Sequence, residues 1–227
     1  MRAIAIDTAT DVLAIAAVNG EARVSLALRK GLQHSPTLVP LLERLLAEIS
    51  LPVKDLDLIA CSVGPGSFTG IRIGLATAQG IGLATGVPLV GVSTLDALAR
   101  PFQPRAGDVF AVLDARKGKV YTASYSGAKR TSGYLDLSPT ELRAALEEAD
   151  DPLLVGPDAE RIREMAFPKG TSERTAWEEV PYSTLFDPTA LLAIGMESFA
   201  RDGADPSGPH PLYLRRSEAE IEGERKR

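Results

Sequence analysis

Between Cys61 and Pro88 the chain reads CSVGPGSFTGIRIGLATAQGIGLATGVP, and Arg72 is the one charged residue in it. This segment narrows the possible folds more than any other. A glycine-rich turn opens it, and helical spacing follows. Gly70, Gly74, Ala78 and Gly82 fall four apart on one stripe and Ala76, Gly80 and Ala84 on a second, with Ile71, Ile73, Leu75 and Ile81 between them. Glycine inside a helix costs about 1 kcal/mol relative to alanine, so a helix this rich in it needs close packing to offset the loss. Without charge it also has no wide face suited to water, which a helix resting on one sheet in a monomer would show. Two coverings answer that need: the helical segment PTLVPLLERLLAEIS of the same chain, or a second polypeptide. A membrane span is disfavoured, because the segment carries its glycines, Gln79 and Pro88 and is flanked by strand patterns.

The flanks point to an α/β fold. RAIAID, VLAIAAV and EARVSLAL read as a strand meander with turns at residues 8–11 and at Asn19-Gly20. In HSPTLVPLLERLLAEIS, Leu38, Leu41, Leu42, Leu45, Leu46 and Ile49 recur at helical spacing, with Ser35 or Thr37 as cap and Pro40 either in the first turn or kinking the helix. The strand LDLIACSV, the glycine-rich helix and the strand PLVGV then make a right-handed crossover on one sheet. Ser93 and Asp96 form a capping pair for a short helix, and Pro101 and Pro104 mark a boundary between lobes 1–100 and 101–227. The second half opens with the strands DVFAVLDA and KVYTASY. It continues through YLDL, a helix capped by Ser138, Pro139 and Glu141, the strand LLVG, a helix from Asp158 and a last one capped by Asp187. Two halves with this shared order of elements suggest a duplicated α/β unit.

Several chemistries are excluded or weakened by residue type. A Walker loop needs a lysine after its last glycine, yet Ile71 follows Gly70; a dinucleotide fingerprint needs different spacing from that of Gly64, Gly66 and Gly70. Gly64, Pro65 and Gly66 then read as a tight strand-to-helix turn, with Ser67 or Thr69 as cap and Phe68 buried against the strands. The two histidines, His34 and His210, make no helical ligand pair, since Leu38 stands four residues after His34, and neither belongs to a nucleophile triad; His34 is expected as a cap or surface residue. Asp7 and Thr8 after the first strand, with Asp114 in the equivalent place of the second half, remain as polar candidates. Capping of turns is the favoured role for them over orientation of a metal-bound phosphate.

The formal charge of −5 leaves this chain poorly suited to bind RNA by itself. The basic residues of YLRRSEAEIEGERKR at the end are interleaved with glutamate and read as a solvated tail. Cys61 is the single cysteine, which excludes an internal disulfide, and the N-terminus lacks a signal-peptide pattern, so a cytoplasmic location is expected.

AIDTAT, GPGSFTGIRIGLATAQGIG, GVSTLDALA, DARKGKVY and, near the end, PLYLR resemble the bacterial TsaB (YeaZ) family. The resemblance covers the first ~125 residues and extends weakly beyond them. It implies an actin-like (ASKHA, ribonuclease H-like) fold of two related lobes, mixed sheets flanked by helices, without a cofactor of its own. It implies a non-catalytic subunit in the formation of N6-threonylcarbamoyladenosine (t6A) at position 37 of tRNA. The implied partners are a TsaD-type catalytic subunit, a TsaE-type ATPase, a second copy of the chain when alone, and tRNA only indirectly, with no membrane. The first lobe's helices would form the contact, placing Leu38, Leu41, Leu42, Leu45, Gly70, Ile71, Ile73, Gly74, Leu75, Ala78 and Gly82 at an interface. On that expectation Gly74→Leu would spare the fold and block association. Asp7, Thr8, Gly64, Gly66 and Ser67 are the weaker candidates for contact with an anion. The alternative is a nucleotide-binding protein or a hydrolase- or kinase-like enzyme on the same fold.

Overall fold

The computed structural model describes residues 1–29, 31, 34–168, 178–179, 186–204 and 206–215. The opening meander forms β1 (Arg2–Asp7), β2 (Val12–Asn19) and β3 (Ala22–Arg29). Burial along β1 and β2 is nearly continuous rather than alternating, so both faces of this sheet are covered. Helix α1 (Ser35–Glu48) precedes β4 (Leu58–Gly64), α2 (Phe68–Thr85) links it to β5 (Leu89–Ser93), and α3 (Thr94–Ala99) ends the lobe. The strand order is β3-β2-β1-β4-β5, with the meander antiparallel and the β1, β4 and β5 pairings parallel.

The second half repeats the plan with β6 (Asp108–Arg116), β7 (Lys119–Ser126), β8 (Lys129–Arg130), β9 (Leu135–Leu137), α4 (Pro139–Glu148), β10 (Leu153–Val155), α5 (Ala159–Ala166), β11 (Glu178–Glu179) and α6 (Pro188–Asp202). Its order, β11-β10-β6-β7-β8 with β9 also on β7, is the first order with each strand replaced by its counterpart. The duplication expected from element order is therefore present in the topology as well.

Among the described residues three apolar cores separate the layers. One lies under α1 and α2 on the outer face of the first sheet, and one under α4 and α5 on the outer face of the second. The third fills the space between the sheets, where α3 and α6 lie. The third core is shared between the lobes. Residue 100 divides the sheets but not the cores, because α6 packs on β1, β4 and β5 of the first sheet while α3 reaches β6 and β7 of the second. Gly195 of α6 sits so close to Ala60 that a Cβ there would collide with its side chain.

Most caps form as the sequence suggests. Ser138 and Glu141 make a reciprocal capping box, Asp187 accepts from Thr189 N at 2.9 Å, and Ser67 accepts from Gly70 N at 3.2 Å. Two differ. Helix α1 starts after His34 with no side-chain cap, and Pro40 is accommodated early inside it. Ser93 caps α3 at Leu95 N, but Asp96 turns away to accept from Tyr125 Oη at 2.7 Å and Tyr134 Oη at 2.6 Å, tying α3 to the second lobe. Trp177 and the charged tail beyond residue 215 lie outside the described residues.

Candidate interaction surface

The glycine-rich loop is a clamp between the ends of β1 and β4. Gly64 and Gly66 have φ of +101° and +157°, values that side chains rarely adopt, and a Cβ on Gly66 would strike the Ala9 carbonyl. The loop closes on β1 through Ser67 N, which donates to Ala9 O at 2.6 Å, and Thr8 Oγ1, which donates to Gly70 O at 2.7 Å. Asp7 lies fully buried beneath. Its Oδ1 accepts from Ala9 N at 3.1 Å, and its Oδ2 has no hydrogen-bond partner among the described residues. Burial pushes its pKa up to about 7, with the nearby Ser62 hydroxyl and the Ala9 amide drawing it partway back. The same burial, with Asp7 beside it, pushes the Cys61 thiol far up.

The five candidates for anion contact thus divide. Asp7, Thr8 and Gly64 serve the clamp, whereas Gly66 and Ser67 line a cleft of about 630 Å³ that also takes in Asp11, Asp114, Arg116, Tyr121 and Asp158. Its charges serve one another or the backbone. Asp114 holds Arg161 at 2.7 Å and the Arg116 amide at 2.9 Å, Asp158 accepts from the Asp114 amide at 3.0 Å, and Asp11 lies 3.6 Å from Arg29. Carboxylates in the majority suit a phosphate poorly. His34 holds the N-cap position of α1 through its backbone, its carbonyl accepting from Leu38 N at 2.9 Å, but it is not a surface group: it is 1% exposed, with Nε2 2.8 Å from Thr10 O. His210 is exposed beside Ser207. Among the described residues no three His, Cys, Asp or Glu side chains gather as a metal site would require.

Most of the residues expected at an interface are buried inside the lobe. Leu38, Leu42, Leu45, Gly70, Ile71, Gly74, Leu75, Ala78 and Gly82 are buried against the first sheet, and Leu41 and Ile73 are half-buried. The cause is backbone proximity. A Cβ on Gly70 would strike the Thr8 carbonyl, one on Gly74 would stand 2.5 Å from Thr8 Oγ1, and one on Gly82 would meet Leu89. The second stripe is the one in water. Ala76, Gly80 and Ala84 are exposed with Arg72 and Gln79, and Leu83, 92% exposed, stands beside Ala84 near the end of the row. A Cβ on Gly80 would meet nothing within 4 Å among the described residues. Phe68 is likewise in solvent at the head of the row rather than against the strands, and Val39 is exposed on α1.

One group of neighbours escaped the sequence reading. Phe68, Arg72 and Tyr213 cluster at the start of α2; the four-residue spacing of the first two was visible, whereas Tyr213 arrives from 141 residues beyond Arg72.

Residues 30–182 match the family model described as TsaD, tRNA N6-adenosine threonylcarbamoyltransferase. The Bacillus subtilis tRNA threonylcarbamoyladenosine biosynthesis protein TsaB is 31% identical over 235 residues, covering 97% of this chain and 96% of that one. The chain belongs to the TsaB family. The Escherichia coli protein of the same name is 38% identical over 130 residues, a match spanning 55% of each chain. YeaZ from Pseudomonas aeruginosa superposes with a TM-score of 0.79 at 26% identity, covering 94% of this chain and 99% of that one. The fold is the actin-like, ASKHA arrangement of two related lobes, each a mixed sheet flanked by helices. No helix among the described residues is long and apolar enough to cross a membrane.

Proposed function

We propose that this chain is a non-catalytic subunit of the machinery that forms N6-threonylcarbamoyladenosine in tRNA, and that it holds the catalytic, TsaD-type subunit against the outer face of α2. The names of its relatives support the process. The docking face rests on one observation: Leu83 stands 92% exposed near the end of an outward stripe that carries no charge after Arg72. A specific complex covers about 800 Å² per partner, and at about 25 cal/mol per Å² of apolar area the gross gain exceeds the cost of association. A subunit that binds only the active arrangement of its partner stabilises that arrangement by mass action, with no group of its own in the chemistry.

In isolation the chain covers the same face with a second copy. The catalytic subunit and the second copy then compete, and an ATPase of the TsaE type joins the resulting pair. With a net charge of −5, the chain meets tRNA through its partners. The internally paired, carboxylate-rich cleft argues against the alternative of a nucleotide-binding or hydrolase- or kinase-like enzyme, and calorimetry with ADP on the isolated chain should give little heat.

Leu83→Asp tests the docking face. A side chain this exposed contributes little to folding, so thermal unfolding should stay within about 0.5 kcal/mol of wild type. Sedimentation with the catalytic subunit should show the complex lost. An unchanged complex would remove this face from the proposal.

A further inference from the structure

We propose that Arg72 is the polar anchor of that face and pairs with a carboxylate, an Asp or Glu side chain, on the partner protein. The inference rests on the docking face above and names what the partner must bring to it. Arg72 follows Phe68 by one turn of α2, and its guanidinium carbon lies 3.7 Å from the centre of the Phe68 ring. Tyr213 stacks on the same ring at 5.1 Å between centroids, and its hydroxyl accepts from Arg72 Nε at 3.1 Å. Tyr213 is itself held in place, because the neighbouring Leu212 N–H donates to Val63 O of β4 at 2.7 Å. The guanidinium is therefore fixed by a ring and a hydroxyl. Its two terminal nitrogens remain, the pair that grips a carboxylate as a fork.

An unpaired surface arginine is ordinarily a mobile, solvated one; this one is already ordered. Among the described residues no carboxylate meets it, while carboxylates elsewhere are engaged with other arginines, such as Asp136 with Arg215 at 2.7 Å. Phe68 and Tyr213 are each 41% exposed beside it. Rigid aromatic rings and arginine dominate the energetics of protein contacts, and ordering them beforehand lowers the entropy lost on binding. Because the rest of the row to Leu83 lacks charge, the partner's complement is an apolar surface with one acid at the Phe68 end. That acid fixes which way the partner lies along α2. A protein suits this site better than RNA, since the cleft alongside carries Asp11, Asp114 and Asp158 against Arg116.

The experiment measures the affinity of the full chain for the purified catalytic subunit by calorimetry at low and high salt. Arg72→Gln should bind about thirtyfold more weakly at low salt, the lower end for a lost interfacial charge pair, and should lose most of the salt dependence. Arg72→Lys should recover only part of the affinity, because an ammonium cannot make the fork. Arg72→Glu should be rescued by changing one acidic residue of the partner to arginine. If Leu83→Asp abolishes binding while Arg72→Gln binds as wild type at both salts, the carboxylate is overturned and the face stands. If Leu83→Asp binds as wild type, the face falls and the anchor with it. If Arg72→Gln keeps its affinity for the partner but weakens binding of tRNA to the assembled complex, the ligand is phosphate and the inference is overturned.

Discussion

The two small-residue stripes of α2 look alike in composition and face opposite environments. The inner one, Gly70, Gly74, Ala78 and Gly82, lies on β1 and β4 with backbone and side-chain atoms where its Cβ atoms would be. The outer one, Ala76, Gly80 and Ala84, lies in water, with open space over Gly80 among the described residues. Small residues on a helix thus report that something approaches closely, but not whether that neighbour belongs to the same chain. The position of the sheet separates the two cases. The inner stripe is accounted for by the fold, and the outer stripe is what the fold leaves over.

The largest effect expected from this contrast is on the inner side. Gly70→Val drives a branched side chain into the Thr8 carbonyl, a main-chain atom that cannot swing aside, so a loss of about 3 kcal/mol or more, or failure to fold, should appear in denaturant unfolding. Gly74→Leu belongs to the same class, contrary to the expectation that it would act on association alone. A Gly70→Val protein with wild-type stability would mean that α2 does not press on β1.

Next in size is a pH effect beneath the same stripe. Asp7 has a pKa of about 7 in the folded chain against ~3.9 for a free aspartate. Between those values the unfolded chain has released the proton and the folded chain keeps it, so stability falls as pH rises through that window and levels off above it. Integrated, this amounts to a few kcal/mol between pH 4 and 8. Asp7→Asn should flatten that slope and be more stable than wild type at pH 8 while differing little at pH 4. A slope that survives in Asp7→Asn would assign it to other groups.

Much of this architecture was legible in the sequence. Local signals did well where the cause is local. The capping box of Ser138 and Glu141, the Asp187 cap, the parallel crossover from β4 to β5 and the repeated order of elements all follow from residues near one another. Signals failed where the cause is distant. Nothing near Asp96 tells that two tyrosines of the second lobe will claim it instead of its own helix end. Phe68 carries an apolar side chain and so reads as buried, but its ring meets Tyr213 and Arg72 and stays 41% exposed. The same holds for α6, whose sequence follows the second sheet and whose packing belongs to the first. At the candidate face, the periodicity located the helix and its small residues, while the choice between stripes depended on where β1 and β4 run.

The smallest effect is the sharpest comparison, because one substitution is made on both stripes. Gly80→Ala adds a methyl group where nothing lies within 4 Å among the described residues, and alanine is the better helix former by about 1 kcal/mol. The isolated chain should therefore become more stable by about 0.5–1 kcal/mol, a rise of a few degrees in Tm for a chain of this size. Gly82→Ala, on the inner stripe, should do the reverse, because its methyl group must displace Leu89. A glycine that weakens its own helix without serving its own fold is kept for something outside it. If Gly80→Ala stabilises the chain and weakens its complex with the catalytic subunit by a few fold, the open space over Gly80 is the place where the partner's backbone comes closest. If it stabilises both, α2 meets its partner elsewhere along the row, and Leu83 rather than Gly80 marks the centre of the contact.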